Sequence, residues 1–349
     1  MAKAPTSVIG LDLGRHALKS VLLQRRSGGQ VALTHYAAHR LERPIESSDH
    51  LAAELKALLK SMGGSAKTCG VAVSSNKALL RIIEQPETPT GLLREALRLN
   101  GMSLLNQDCR DLVLDCDELA ESAHPAGGNQ STAPANGPKR YLVGGVPRSE
   151  VSVISAAFES VTTPFSSLQL APACLFNAFE FARPQEFNHE AFFLIDIGHG
   201  SSTMLIGAKR ALVLVRNIDF GGQALIEALS SLSGESAEGA LMALEHEDEV
   251  MVENTRMALS VLAREVAGSI GFFEARREET ISAIYVSGAA ARSKTMLQVL
   301  SEEIHMPCKS WNPLETCELE LPGRQREAFA QDAPDLHVAC GAAAELLNA

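Results

Sequence analysis

The sequence predicts an α/β protein of two related lobes, with a smaller α/β unit inserted in the first. Three observations carry this reading. The chain has 349 residues, room for two domains of roughly 100–200 residues each. Strand-like and helix-like stretches alternate along it, as in layered α/β folds. One pattern also occurs twice: an apolar strand ending on Asp-x-Gly, a tight turn and a returning strand. The first copy is Val8–Leu23, VIGLDLGRHALKSVLL, and the second is Ala191–Gly207, AFFLIDIGHGSSTMLIG. Asp12-Leu13-Gly14 corresponds to Asp196-Ile197-Gly198, so the two halves are expected to face one another.

The first lobe is expected over 1–85. Val8–Leu13 is too uniformly apolar for a half-exposed strand and reads as a central one. Ala17–Gln24 returns, and Gln30–His39 adds a third strand. Leu51, Leu55, Leu58 and Leu59 recur at helical spacing over His50–Met62, and Gly63-Gly64 stops that helix. Cys69–Ser74 reads as a buried strand. From about Ile83 the texture changes, and Pro86 and Pro89 bracket a linker. An inserted α/β subdomain is expected over 86–163, with a helix at Gly91–Asn100, strands at Leu112–Leu119 and Arg140–Val146, and a helix at Pro147–Val161. Within it, 120–139 is rich in Gly, Pro, Ser and Asn and reads as a disordered loop. A connecting strand, Phe165–Leu170, and helix, Pro172–Phe181, fall within 164–190 and return to the first lobe.

The second lobe is expected over 191–330. After its hairpin come a strand at Lys209–Asp219, the step Phe220-Gly221-Gly222-Gln223 and a helix at Ala224–Leu232. A charged helical stretch runs to about Arg277. Ile281–Val286 is a strand, followed by a helix at Lys294–Glu303 and a short strand near Pro307–Trp311. A closing helix at about Leu336–Leu347 lies in 331–349.

Composition narrows the function. The formal net charge of −11 argues against a nucleic-acid surface, which needs clustered Lys and Arg. No apolar run approaches the ~18 residues of a membrane span. The start, MAKAPTS, has no apolar signal core, so the protein is expected to stay inside the cell. The seven cysteines are odd in number and contain no Cys-x-x-Cys pair, which fits reduced thiols rather than a disulfide framework. Glu245–Glu249 with His246 lacks metal-ligand spacing and reads as a solvated helix face.

Each Asp-x-Gly hairpin alone is compatible with an ordinary turn. Two copies with matched strands point to a pair of phosphate loops. Gly14, Gly198, Gly200, Ser201 and Ser202 would bring backbone N–H groups close to an anion. Asp12 and Asp196 would hold water on Mg2+, an ion that takes one or two carboxylates together with phosphate oxygens. Lys19 on the returning strand is either a phosphate-neutralising point charge or a solvated strand-edge lysine. His16 and His199 occupy corresponding loops. Ile284–Lys294, IYVSGAAARSK, brings Gly288, Ala289 and Ala290 to a strand–helix junction that admits a flat ring.

In this order the parts resemble the actin-like ATPase superfamily, and within it the PilM-type type IV pilus assembly proteins, relatives of FtsA. VIGLDLGRHALKSVLL resembles that family's first phosphate motif and LQLAPACLFNAFE its connecting helix. FFLIDIGHGSSTMLIG with RNIDFGGQAL resembles the second phosphate motif and the Gly221-Gly222 step. IYVSGAAARSKTMLQVLSEEIHMPC resembles the adenosine motif, and HVACGAAAELL the closing helix. The resemblance implies an actin-like two-lobed fold of duplicated ribonuclease-H-like halves around a cleft for ATP and Mg2+. It also implies a cytoplasmic scaffold, peripheral at the inner membrane, that binds the cytoplasmic tail of a bitopic PilN-like protein between the first lobe and the inserted subdomain.

Departures from the family pattern temper the enzymology. Arg15, His16 and Ala17 stand where relatives carry Ser or Thr, and Arg15 can either grip a phosphate in bidentate fashion or fill the cleft. Ala289 replaces a glycine, and Ala171 stands near a position where relatives carry a carboxylate. Gln169 is the only nearby side chain able to orient a water and is the candidate catalytic residue. The expectation is nucleotide binding with at most weak hydrolysis. The alternatives are a degenerate scaffold that binds no nucleotide, an FtsA-like division protein and, more remotely, a small-molecule kinase.

Overall fold

The computed structural model describes residues 5–119, 137–244 and 249–348. Its first sheet begins with three antiparallel strands, β1 (Ser7–Leu13), β2 (Ala17–Arg25) and β3 (Val31–Arg40). Helix α1 (Ser48–Met62) follows. The Ser47 hydroxyl accepts from the His50 amide at its start, and Gly63 closes it in a left-handed conformation at φ 82°. Leu51, Leu55, Leu58 and Met62 form its buried stripe. Strand β4 (Cys69–Val73) then pairs parallel to β1. All five of its residues are buried, as expected of a strand covered on both faces.

The chain next leaves this sheet. Strands β5 (Leu79–Gln85), β6 (Leu112–Glu118) and β7 (Lys139–Pro147) form a separate antiparallel sheet in the order β5-β7-β6, with α2 (Thr90–Leu105) beside it. A core of its own, around Leu93, Leu97, Tyr141 and Val143, holds this unit together. Helix α3 (Arg148–Phe158) packs back on α1, and β8 (Phe165–Leu170) rejoins the first sheet parallel to β4. Helices α4 (Ala171–Ala182) and α5 (Pro184–His189) lead into the second half.

There the first architecture is repeated. Strands β9 (Ala191–Ile197), β10 (Ser202–Ala208) and β11 (Ala211–Ile218) are antiparallel. Helices α6 (Gly222–Ser233), α7 (Ala237–Ala243) and α8 (Glu249–Glu274) follow. Strand β12 (Ile284–Ser287) then runs parallel to β9, and after α9 (Lys294–Ile304) comes β13 (Cys308–Ser310), parallel to β12. The two large sheets share one order: β3-β2-β1-β4-β8 matches β11-β10-β9-β12-β13. This is the duplicated α/β architecture expected from the paired hairpins. Finally β14 (Glu318–Leu319) adds to the first sheet beside β3, and α10 (Gly323–Asp332) and α11 (His337–Asn348) close the chain. Helix α11 is buried from His337 through Ala344 and packs against β1, β4 and α4. Its run of alanines permits that depth.

Several details differ from the sequence reading. Leu79–Gln85 is a strand that the sequence reading did not name and left in the first lobe; it pairs in the inserted sheet, and it was not legible because only Leu79 is fully buried and the half-exposed remainder masks the alternation. Gly323–Asp332 is a helix that the sequence did not announce; it has a mostly polar surface and buries only Phe329. Most of the 120–139 loop, 120–136, lies outside the described residues, and Lys139 already belongs to β7. Glu245 to Asp248 of the acidic stretch also lie outside them. All seven cysteines are free thiols, six of them buried. Among the described residues no helix is long and apolar enough to cross a membrane.

Candidate functional site

The turns after β1 and β9 face one another across a cavity of about 1000 Å³. It is lined from the first loop by Asp12, Gly14, Arg15, His16 and Lys19. Asp196, Gly198, His199, Gly200 and Ser201 line it from the second, and Gly222, Gly288, Ala289 and Ala290 from the second half's helix starts. Both aspartates therefore open on one crevice. Sheet register explains why: Asp12 sits opposite Lys19 across β1–β2, as Asp196 sits opposite Thr203 across β9–β10.

The centre of the cavity is a charge cluster. Lys19 Nζ donates to Asp335 Oδ1 at 2.8 Å and lies 3.6 Å from Asp12 Oδ2. Burial opposes a charged lysine, but Asp12 and Asp335 outweigh it and hold the ammonium above its ordinary pKa. Asp12 is 4% exposed, and its Oδ1 is buried without a hydrogen-bond partner. Desolvation raises its pKa to about 6; Lys19 pulls it down, while Asp196 and Asp335 push it further up. Desolvation also raises Asp196, against the pull of Lys19 and a 2.8 Å hydrogen bond from Ser287. A buried carboxylate oxygen without a hydrogen-bond partner, on a residue that lines a polar cavity together with a second carboxylate, belongs to a donor set suited to a hydrated Mg2+.

The second loop is braced from behind. The amides of Gly222 and Gln223, at the start of α6, each donate at 2.8 Å to the carbonyls of Gly198 and His199. Ser202 does not line the cavity; its hydroxyl donates to the Phe220 carbonyl at 2.6 Å. Gly221 lies behind the loop as well. A Cβ there would sit 2.6 Å from the His199 carbonyl oxygen and the Ser201 nitrogen, so only glycine permits the approach. Both residues serve the loop's shape. The amide of Gly198 donates to Ser201 O at 3.1 Å and is spent inside the turn. Gly288, at φ 91°, turns the chain so tightly over β9 that a Cβ would meet the Ile197 carbonyl at 2.2 Å.

Gln169 is not brought to the cavity. Its amide nitrogen donates to Ser167 and Glu345, and its oxygen accepts from Asn177 at 3.3 Å. Leu170 and Ala171 line the cavity instead, and Ala171 offers no group to activate water. Successive strand residues point to opposite faces, so Leu170 at the cleft sends Gln169 toward α4 and α11.

Two features escaped the sequence reading. Asp335 comes from the 3-10 turn before α11 and bridges the halves: Oδ1 holds Lys19, and Oδ2 lies 3.5 Å from Arg292. The rings of His16 and His199 also stack across the cleft, with centroids 3.8 Å apart and planes within 8°.

Two lobes of one repeated topology enclosing a cleft between paired Asp-x-Gly loops define the actin-like ATPase fold. A chain of a PilM–PilN type IV pilus biogenesis complex superposes at a TM-score of 0.79, over 97% of this chain and 98% of that one, at 21% identity. A diol dehydratase-reactivating factor in nucleotide-free form matches at a TM-score of 0.54, over 96% of this chain and 98% of its own, at 8% identity. No curated protein matches the sequence. The family model for the type IV pilus assembly protein PilM matches residues 172–346, half of the chain, and the protein belongs to that family.

Proposed function

We propose that this protein is a nucleotide-binding scaffold of type IV pilus assembly that works at the cytoplasmic face of the inner membrane through a PilN-like partner. The observation that carries the nucleotide half is the shared cleft with Asp12, Asp196 and Lys19 at its centre. The six-stranded sheet and its helices form one lobe, the five-stranded sheet the other, and the three-stranded sheet with α2 the inserted subdomain. ATP would lie with its phosphates between the Gly14 and Gly198–Ser201 turns and its base toward Gly288–Ala290. Bound Mg2+ would neutralise phosphate charge, held through water by Asp12 and Asp196. Lys19 would supply a fixed positive charge. With Ala171 and the displaced Gln169 offering no base, the cleft binds nucleotide and turns it over slowly at most.

The partner half rests on family membership and on the PilM–PilN complex that the fold matches. The ligand expected there is the cytoplasmic N-terminal tail of a bitopic inner-membrane protein, seated between the first lobe and the inserted subdomain. A fluorescent peptide of that tail, titrated with the full chain, should show saturable polarisation. Absence of binding to any PilN-like tail from the same organism would remove the scaffold assignment.

A second reading is an interaction protein with a closed, nucleotide-free cleft. Lys19 already occupied by Asp335 and the stacked His16 and His199 rings favour it. Thermal shift with Mg-ATP separates the two readings.

A further inference from the structure

The His16–His199 stack is the one aromatic pair formed by the two facing loops themselves. His16 follows β1 in the first lobe and His199 follows β9 in the second, so the pair bridges the halves at the cleft mouth. We propose that it is a proton-operated clasp: neutral rings hold the two phosphate loops together, and protonation parts them and opens the cleft.

The geometry excludes two charged rings. Two imidazoles lying parallel at 3.8 Å tolerate at most one charge, because two cations face to face repel. Burial and three cationic side chains act in the same direction. His16 is pulled below its ordinary pKa by burial, then by His199, Arg40 and Lys19. His199 is pulled down by burial, Arg40 and Arg15, with only Glu227 of α6 opposing. Arg43, Glu42 and Asp219 line the same cavity, as do the carboxylates Asp12, Asp196 and Asp335 at its centre, so the pull against a proton on either ring is that of Arg15, Arg40 and Lys19. Both rings are therefore neutral at pH 7.5, and a proton gained on acidification is opposed by these cations. At the tip itself a Cβ built on Gly200 would meet nothing within 4 Å, while the base of the second loop stays tied to α6 through the Gly198 and His199 carbonyls.

For a ligand, the consequence rests on the nucleotide reading above: phosphates entering between the loops would displace the stack and stabilise charged rings, so binding takes up protons. The clasp itself does not rest on it, and the test is made on ligand-free protein. Hydrogen exchange of segments 14–17 and 198–202 is followed by mass spectrometry in the full chain from pH 8 to pH 5, corrected for the intrinsic pH dependence. Imidazole NMR signals report the two rings in parallel. The expected result is measurable protection above pH 7 and a joint loss of about tenfold or more in both segments as pH falls toward 5. His16→Phe/His199→Phe keeps the stack without the proton and should stay protected throughout. His16→Ala/His199→Ala should be open at every pH. If the double Phe variant does not fold, His16→Phe alone makes the comparison, since one surviving imidazole cannot produce a doubly charged stack. Protection independent of pH in the native chain, or a pH-dependent loss that persists in the Phe variant, would overturn the proposal. Mg-ATP titration at pH 7.5 and pH 6 separates the two ideas. No binding at either pH refutes the nucleotide reading and leaves the exchange result to decide the clasp. Binding without proton uptake, measured by calorimetry in two buffers, refutes the linkage.

Discussion

Replacing Asp12 by Asn should make the ligand-free protein more stable at neutral pH. Asp12 is buried, its Oδ1 has no partner, and its pKa is raised from 3.8 to about 6. Protons thus bind the folded state more tightly than the unfolded one. Below pH 3.8 the carboxyl is neutral in both states and costs nothing. The cost grows as pH rises to about 6 and is complete above it. Roughly two pKa units at about 1.4 kcal/mol each set that cost near 3 kcal/mol. Asn keeps the shape and sheds the charge, but it buries an amide and removes one partner of Lys19, so a net gain of about 1–2 kcal/mol is expected. Urea unfolding at pH 7.5, 6 and 4.5 reads it directly. The Asp12→Asn advantage should be largest at pH 7.5 and shrink toward pH 4.5. A variant less stable than the native chain at pH 7.5, or an advantage indifferent to pH, would refute the reasoning. A charge kept at a stability cost supports the binding role proposed for Asp12.

Two further outcomes follow from the same geometry. Lys19→Met leaves Asp12 and Asp335 facing each other without their cation, so it should lose about 3 kcal/mol at pH 7.5 and recover part of that loss by pH 5 as Asp12 takes a proton; the urea midpoint measures both. Gly288→Ala forces a Cβ onto the Ile197 carbonyl at φ 91° and should cost about 2 kcal/mol or more, seen as a lowered melting temperature with faster exchange at the β9–β12 junction.

What could be read from the chain was local. The Asp-x-Gly hairpins announce themselves because strand, carboxylate and glycine are contiguous, and two copies predict two sheets of one topology. The helices read well where a leucine stripe meets a cap, as from Ser47 to Gly63. Contacts made across the chain were not legible. Asp335 reaches Lys19 over more than 300 residues, and nothing around Ala333-Pro334-Asp335 marks it as part of a site. Gln169 was misassigned because spacing does not say which face of a strand looks into the cleft; that is decided when β8 pairs with β4 and α4 and α11 cover the other side. Ser202 and Gly221 lie in the right loops but shape them from behind. The stack of His16 on His199 needed both halves in place: matched positions in a repeat suggest a meeting, and only the fold brings the rings to 3.8 Å.

On the proposed reading the facing loops form one nucleotide site, and calorimetric titration of Mg-ATP into the ligand-free chain at pH 7.5 decides whether they do. Saturable heat for one site per chain is predicted, with about 2.7 kcal/mol of added stability at 100 times the dissociation constant. Both should disappear when Asp12 and Asp196 are changed together to Asn. No heat at millimolar Mg-ATP, or binding untouched by the double substitution, would contradict it.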